Sequence, residues 1–322
     1  MESNFPPFTR RPIKIVHGIP IFAESDDVIS FGSQWSEHVK TQLDSFTGST
    51  ITYDRALRMF GQDFYNLKGR SVLEAGSGAG RFTEILLDTG ALVSSFDLSN
   101  AVFANKLNNG NNPNLRLFMG TIEALPFQKE SFDFVFCPGV LQHTKKPKKS
   151  LNSLYAQVKP GGFLIIDQYR VNLSTLLRTT WVFRFLLKRL DPTISKKAVY
   201  FIVDSLLPIH KFLSKWKLAE VLLFRISPIT AHFRGYPFLS ESDQKLWSNL
   251  STFDNLTDKY KRLTTLNILR NRILKLGVAE LKIRVMPYTL EIHCRKIRSG
   301  ERPIAAKDVE YELMKSSKNN SG

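Results

Sequence analysis

The chain has 322 residues, of which 43% are hydrophobic and 23% charged, so its composition fits a folded globular protein rather than a disordered or fibrous one. No apolar run reaches the ~20 residues of a bilayer span, which argues against an integral membrane protein. Residues 1–11 hold two prolines and no apolar core of a secretory signal. The only cysteines, Cys137 and Cys294, are too few for a disulfide framework or a zinc ribbon. We therefore expect a cytoplasmic protein.

The net charge of +16 is unevenly distributed. Residues 1–167 carry 17 Lys or Arg and 16 Asp or Glu, whereas residues 168–322 carry 28 and 13. A basic second half predicts an anionic partner, such as lipid headgroups, nucleic acid or a phosphorylated substrate.

The predicted elements begin with an N-terminal arm and cap helices over residues 1–67, including a hairpin over 13–22 and a helix over 50–65. From residue 71, short apolar runs alternate with amphipathic segments, which predicts strands over 71–75, 92–97, 115–119, 132–137 and 163–168. Helices are predicted over 81–87, 100–107 and 148–158. This alternation is typical of an α/β fold with a parallel sheet, in which ligands bind at the carboxyl ends of the strands.

The second half starts with basic, aromatic segments of helical pattern over 170–235, within an insertion or lid assigned to 171–250. Residues 251–298 complete the fold, with a helix over 264–276 and a hairpin of 281–285 with 289–293. Residues 299–322 are polar, and we predict that this tail is disordered.

Three glycines, Gly76, Gly78 and Gly80, follow the predicted strand 71–75 at alternate positions and lead into a helix. Such a loop allows a ligand to approach the backbone closely. Its spacing differs from the GxGxxG of dinucleotide folds because Arg81 replaces the third glycine, and the Gly-Lys-Ser/Thr of a P-loop is absent. Glu74 would repel a pyrophosphate, but it can organise the loop and attract a cationic amino group.

Asp97 ends the second strand of the predicted sheet, 21 residues after Gly76. A carboxylate at this point can accept hydrogen bonds from both ribose hydroxyls. A ligand with adenosine, no phosphate and a cationic amino acid end fits these residues. That ligand is S-adenosylmethionine.

The chain resembles the class I S-adenosylmethionine-dependent methyltransferases of the small-molecule group, including quinone-biosynthesis methyltransferases. Six motifs carry the resemblance over about residues 68–170: Val72–Phe82, Phe96–Ser99, Ala124–Phe127, Phe132–Val135, Gly139–His143 and Val158–Phe163. It implies a Rossmann-like, seven-stranded, mostly parallel sheet with a terminal antiparallel hairpin and a helical insertion.

The resemblance also implies cofactor-binding residues, which are Glu74, Gly76, Ser77, Gly78, Gly80, Asp97, Leu98, Thr121, Ile122 and Gly139. Leu98 would lie against adenine. Thr121 stands where the family usually has an Asp that contacts the adenine amino group. Some relatives carry a cysteine-rich zinc ribbon before the Gly-Ile-Pro found here at residues 18–20, but this chain has no cysteine there, so we predict no metal.

Methyl transfer needs alignment of the acceptor, the methyl carbon and the leaving sulfur, and it needs a base when the acceptor is a hydroxyl. His143, at the end of the fourth strand, is the candidate base, although it can instead shape the cofactor pocket or cap a helix. The flanks resemble a subgroup from polysaccharide, lipid and natural-product biosynthesis. There, Gln34 and Trp35, with Asp254 and Tyr260, are the candidate substrate-binding residues.

The interpretation from sequence is methyl transfer to a small-molecule, glycan or lipid-linked acceptor, at oxygen. An RNA methyltransferase that uses the basic half is an alternative, as is a non-catalytic protein that binds S-adenosylmethionine or a membrane. The basic aromatic segments over 173–225 fit either a lid over the acceptor or a peripheral contact with anionic lipid.

Overall fold

The computed structural model describes residues 5–24, 39–171, 178–233 and 235–313. Its strands are β1 (Lys14–Val16), β2 (Ile19–Ile21), β3 (Ser71–Ala75), β4 (Leu92–Asp97), β5 (Leu115–Met119), β6 (Phe132–Cys137), β7 (Val158–Tyr169), β8 (Val278–Val285), β9 (Thr289–Lys296) and β10 (Glu310–Leu313). Its helices are α1 (Asp44–Thr47), α2 (Ile51–Phe60), α3 (Arg81–Asp88), α4 (Ala101–Asn109), α5 (Pro147–Gln157), α6 (Thr180–Leu187), α7 (Pro192–Leu213), α8 (Lys217–Ile226), α9 (Glu241–Thr257) and α10 (Leu266–Leu274).

These strands form one sheet in the order β1-β2-β5-β4-β3-β6-β7-β9-β8-β10. The run from β2 to β7 is parallel, and β9 lies antiparallel between β7 and β8. The α/β class and the terminal antiparallel hairpin are therefore confirmed. The strand order reverses at β3, which pairs with β4 on one side and β6 on the other, so a crevice is expected at their carboxyl ends.

Helices pack against both faces of the sheet, so its central strands are buried. All five residues of β3 are buried, as expected for a parallel strand between two layers of helices. On α3, Phe82, Ile85 and Leu86 are buried at the three- to four-residue spacing of one helix face.

The sheet has ten strands in the described residues, so the predicted number of seven is wrong. The N-terminal hairpin joins the sheet because Ile21 of β2 pairs with Met119 of β5. The disordered tail predicted over 299–322 is also wrong over Glu310–Leu313, which pair in parallel with β8. The pairing is reinforced by charge, since the Arg284 guanidinium donates to the Glu312 carboxylate at 2.8 Å.

The predicted helical insertion over 171–250 contains α6, α7, α8 and the first part of α9. Val199, Val203 and Leu207 on α7 pack with Phe253 and Leu256 of α9 in a separate hydrophobic cluster. No helix in the described ranges is long and apolar enough to cross a membrane.

Candidate active site

A cavity of about 680 Å³ opens at the carboxyl ends of the central strands, where the strand order reverses. Its volume is in the range of small-molecule and cofactor sites. The predicted site residues that line it are Gly76, Ser77, Gly78, Asp97, Leu98, Thr121, Ile122, Gly139, His143, Asp254 and Tyr260. Glu74 and Gly80 are not among the lining residues. Gln34 and Trp35 lie outside the described residues.

The glycine loop passes from β3 to α3 with positive φ angles of 78° at Gly76, 55° at Gly78 and 93° at Gly80. A Cβ atom on Gly76 would lie 2.2 Å from the Val140 side chain, so this position needs both the conformation and the small size of glycine. A Cβ on Gly80 would lie 2.2 Å from Oδ1 of Asn105. Gly80 therefore permits α3 to pack against α4, and its predicted role in cofactor binding stays a prediction.

Glu74 lies beneath the loop and is only 1% exposed. Its carboxylate accepts hydrogen bonds from the hydroxyls of Thr83, at 2.5 Å, and Ser95, at 2.7 Å. Burial raises the pKa of Glu74 to about 7, while the two hydroxyls oppose that rise. Its contacts fit the predicted role of organising the loop, and it is not among the residues that line the cavity.

Asp97 closes the loop from the side of β4. One carboxylate oxygen accepts the Gly78 amide at 2.9 Å, and the other accepts the Ser99 amide at 2.8 Å and its hydroxyl at 2.7 Å. A carboxylate has about four acceptor positions, so these three hydrogen bonds leave one for a ligand. A ligand gains a second position only when it displaces a hydrogen bond from Ser99. Asp97 lines the cavity and also holds the glycine loop in place through the Gly78 amide.

The wall next to Asp97 is mostly apolar. Leu98 and Ile122 line the cavity from successive strand ends, and Ile122 is 6% exposed. Thr121 begins a short 3-10 turn and accepts the Glu123 amide through its hydroxyl oxygen. This arrangement suits a flat, apolar ring with one polar contact.

His143 lies across the cavity in a short 3-10 turn after β6. Its Nδ1 lies 2.9 Å from Oδ2 of Asp258 and 3.2 Å from the carbonyl oxygen of Tyr260. Burial lowers the pKa of His143, but the attraction of Asp258, its hydrogen bond and the nearby Asp254 outweigh burial and raise that pKa above the usual 6.5. Because both neighbours of Nδ1 accept hydrogen bonds, neutral His143 carries its proton on Nδ1 and keeps a lone pair on Nε2.

The candidate substrate residues on α9 and beyond lie beside this histidine. Asp254 and Tyr260 line the cavity, and Tyr260 contributes its backbone carbonyl to His143. Asp258, which the sequence analysis did not select, makes the closer contact. No signal in the sequence separates it from the other acidic residues of this segment.

Two buried ion pairs were also missed. Asp167, at the end of β7, accepts the Gly139 amide at 2.5 Å and pairs with Arg55 on α2 at 2.5 Å. One helical turn later, Arg58 pairs with Glu291 of β9 at 2.8 Å. Asp167 follows a buried apolar run, the same signal that selected Asp97, so the sequence contained the means to find it.

Two further kinds of site were considered, a reactive cysteine and a metal centre. Cys137 is fully buried, and burial raises the pKa of its thiol, so it packs as an apolar residue. Across residues 5–24, 39–171, 178–233 and 235–313, no group of three or more His, Cys, Asp or Glu is placed to hold a metal ion.

Comparison with known proteins agrees with this geometry. Residues 73–166 match a family model described as a methyltransferase domain. The ubiquinone biosynthesis O-methyltransferase of Coxiella burnetii (strain RSA 493 / Nine Mile phase I) is 30% identical over 128 residues, which are 38% of this chain and 55% of that protein. That of Pseudomonas fluorescens (strain Pf0-1) is 28% identical over 174 residues, or 52% of this chain and 74% of the relative. The chain thus spans about half the length of the Coxiella relative.

Among solved structures, the magnesium protoporphyrin IX methyltransferase of Synechocystis PCC 6803, with bound SAH, covers 84% of this chain and 97% of its own, at 15% identity and a TM-score of 0.46. The match over residues 73–166 is to a methyltransferase domain, which confirms the resemblance to the class I S-adenosylmethionine-dependent methyltransferases over that part of the chain. Within that class, the chain is similar to the ubiquinone biosynthesis O-methyltransferases, which confirms the resemblance to quinone-biosynthesis enzymes.

Proposed function

We propose that the chain is an enzyme that transfers the methyl group of S-adenosylmethionine to an oxygen atom of a small-molecule, glycan or lipid-linked acceptor. One observation carries the proposal. The Gly76–Gly78 backbone and Asp97 share a single cavity with a histidine that is held by a carboxylate.

The cofactor half of the cavity fits the proposed ligand. Gly76 leaves room beside Val140 that a Cβ would fill, and Asp97 offers its remaining acceptor position to a ribose hydroxyl. Leu98 and Ile122 provide apolar walls for adenine. When bound, S-adenosylmethionine supplies a methyl group on a positively charged sulfur. Glu74 holds the loop from behind through Thr83 and Ser95.

The acceptor half supplies the base. Nε2 of His143 would take the proton of the acceptor hydroxyl as that oxygen bonds to the methyl carbon, whose bond to sulfur breaks to release S-adenosylhomocysteine. Asp258 and the Tyr260 carbonyl keep the other ring proton on Nδ1, and Asp258 stabilises the imidazolium that results. A positioned base contributes about 10²–10⁴-fold to the rate.

The class of acceptor follows from the wall around this histidine. The ring of Tyr169 stands edge-on to His143 at 5.5 Å between ring centroids, and Tyr236, Phe253 and Met286 also line the cavity. These side chains favour an aromatic or otherwise apolar acceptor that carries a hydroxyl. The names of the relatives, which are O-methyltransferases, support oxygen as the atom that is methylated.

The test compares His143→Gln with His293→Gln. His293 pairs with Asp63 at 3.0 Å, so it is also a histidine beside a carboxylate, but it does not line this cavity. Purified protein is incubated with S-adenosylmethionine and, in separate reactions, with small-molecule extracts or total RNA. S-adenosylhomocysteine is quantified, and mass spectrometry identifies the compound that gains a methyl group. We expect His143→Gln to lower turnover by about 10²–10⁴-fold without weakening S-adenosylmethionine binding by calorimetry, and His293→Gln to leave turnover unchanged.

Three outcomes would contradict the proposal. Absence of S-adenosylmethionine binding by the natural chain would remove its premise. Binding without any turnover would favour the non-catalytic alternative, and methyl incorporation into RNA alone would favour the RNA methyltransferase. Full turnover by His143→Gln would exclude that residue as the base.

A further inference from the structure

Large apolar side chains are unusually exposed on the helices of the insertion. Of the twenty-three that are exposed in the described residues, thirteen lie between Val182 and Phe238. Phe201 is 73% exposed and Leu218 is 86% exposed. A concentration of exposed apolar side chains in one part of a protein indicates an interaction site, whereas singly scattered ones do not.

On α7 these side chains share one side of the helix. Ile194, Phe201 and Phe212 are separated by 7 and 11 residues, which are close to two and three helical turns, so they point the same way. Val199 and Val203, which pack into the α7–α9 cluster, point the opposite way. The helix therefore has an inner apolar face that is covered and an outer apolar face, around Phe201 and Phe212, that is exposed.

Positive charge is concentrated in the same part of the chain as the exposed apolar side chains. Residues 178–238 contain eleven Lys or Arg and three Asp or Glu, a net charge of +8. The Lys215 ammonium lies 5.9 Å from the centroid of Phe212, and the Arg189 guanidinium lies 3.6 Å from that of Phe185. Trp216 stands edge-on to Phe212 and is 51% exposed. Cations beside exposed aromatic side chains are typical of a helix that lies in a bilayer interface.

We propose that α6, α7 and α8 dock on an anionic lipid surface, with Phe201, Phe212 and Trp216 inserted among the headgroups and the lysines facing lipid phosphates. The exposed set includes aliphatic Ile194 and Leu218, which a lipid interface accommodates but which cannot stack on nucleic acid bases. The electrostatic part of the attraction is specific for negative charge. Docking does not depend on the proposed methyl transfer.

The experiment measures co-flotation of the full chain with vesicles of phosphatidylcholine, with and without phosphatidylglycerol. We expect binding only to the anionic vesicles and weaker binding at high salt. The double variant Phe201→Asp/Phe212→Asp should weaken binding at least about tenfold. The control Leu107→Asp also replaces an exposed apolar side chain with Asp, at a 79% exposed position of α4, and should have no effect.

Charge is tested separately. Lys197→Gln/Lys215→Gln should weaken binding by about fivefold for each charge removed, whereas Lys68→Gln/Lys129→Gln, at exposed positions outside the insertion, should not. Brominated acyl chains should quench a fluorescence component that Trp216→Phe removes. Thermal unfolding of each variant checks that it is folded.

The proposal is overturned if anionic vesicles are not bound, or if both sets of variants bind them as the natural chain does. It is also overturned if single-stranded RNA binds more tightly than the vesicles and the Phe201→Asp/Phe212→Asp variant weakens RNA binding to the same extent. These assays contain neither S-adenosylmethionine nor an acceptor, so their failure is distinct from failure of the proposed activity.

Discussion

The carboxyl ends of the central strands and the helical insertion differ in which side chains they bury and which they expose. At the ends of β3 and β4, polar groups are buried and paired, as in Glu74 with Thr83 and Ser95. On α7, apolar groups such as Phe201 are left exposed, and cations lie among them. The first arrangement suits a small ligand that is enclosed by the protein. The second suits a surface much larger than the protein.

The two regions meet at the proposed base. Arg184 of α6 donates to the Asn255 carbonyl at 3.0 Å and to the carbonyl of Asp258, whose carboxylate holds His143. The next residue of the same helix, Phe185, is exposed. Arg184 therefore connects α6 to the segment that carries Asp258.

The largest effect is expected from a change in the enclosed cavity. Gly76→Ala places a Cβ 2.2 Å from Val140 at a φ of +78°. Overpacking of this kind costs about 1–3 kcal/mol, and a positive φ costs an alanine about 1–2 kcal/mol more. Because Gly76 and Val140 both line the cavity, we expect S-adenosylmethionine affinity, measured by calorimetry, to fall at least about thirtyfold.

Gly277→Ala is the matched control, since Gly277 has a φ of +75° but a Cβ there meets nothing within 4 Å. This variant should lose stability while keeping its affinity. Adding Val140→Ala to Gly76→Ala should recover part of the binding. Equal affinity losses in both glycine variants would show that backbone strain, and not the fit against Val140, controls the site.

The second prediction concerns pH. His143 acts as a base only when neutral, so turnover should rise with pH through its pKa, which lies above the usual 6.5. Asp258→Asn removes the attraction that raises this pKa, while burial continues to lower it. We therefore expect the acidic limb of the turnover profile to move to lower pH, with a smaller loss at its plateau than in His143→Gln.

Asp63→Asn, which alters the partner of His293 outside the cavity, is the control and should leave the profile unchanged. A profile that is unaffected by Asp258→Asn would mean that His143 does not set the limb. Nuclear magnetic resonance of the histidine ring protons measures the same shift without turnover.

Much of the central sheet was predictable because local pattern and tertiary environment agree there. The strands over 71–75, 92–97, 115–119 and 132–137 have the predicted bounds, since each is a buried run bordered by loop residues. The strand β10 was missed because it is short and polar. Its stability comes from distant partners such as Arg284, which no local pattern reveals.

The candidate site divides in the same way. Gly76 follows the buried strand β3 directly and Asp97 ends β4, so their place in the cavity was predictable. For Gly80, spacing alone does not show that Asn105 packs against it. Asp258 lies 115 positions after His143 in the sequence, so only the folded chain brings the two together.

The smallest expected effect asks whether the two regions are stable independently. Asp191 caps α7, with its carboxylate accepting the Thr193 amide at 2.8 Å. Losing such a cap costs about 1 kcal/mol. If the insertion opens on its own, Asp191→Ala should speed hydrogen exchange of α7 amides such as Val203 by about fivefold, while the amides of β3 and the affinity for S-adenosylmethionine stay unchanged.

Asp204→Ala on the same helix is the matched control, because its ion pair with Lys245 is half exposed on both sides and should contribute no more than about 0.5 kcal/mol. Faster exchange in β3 as well as α7 after Asp191→Ala would mean that the sheet and the insertion unfold together. The sheet and the insertion would then form one cooperative unit, and they would differ in the polarity of their surfaces but not in stability.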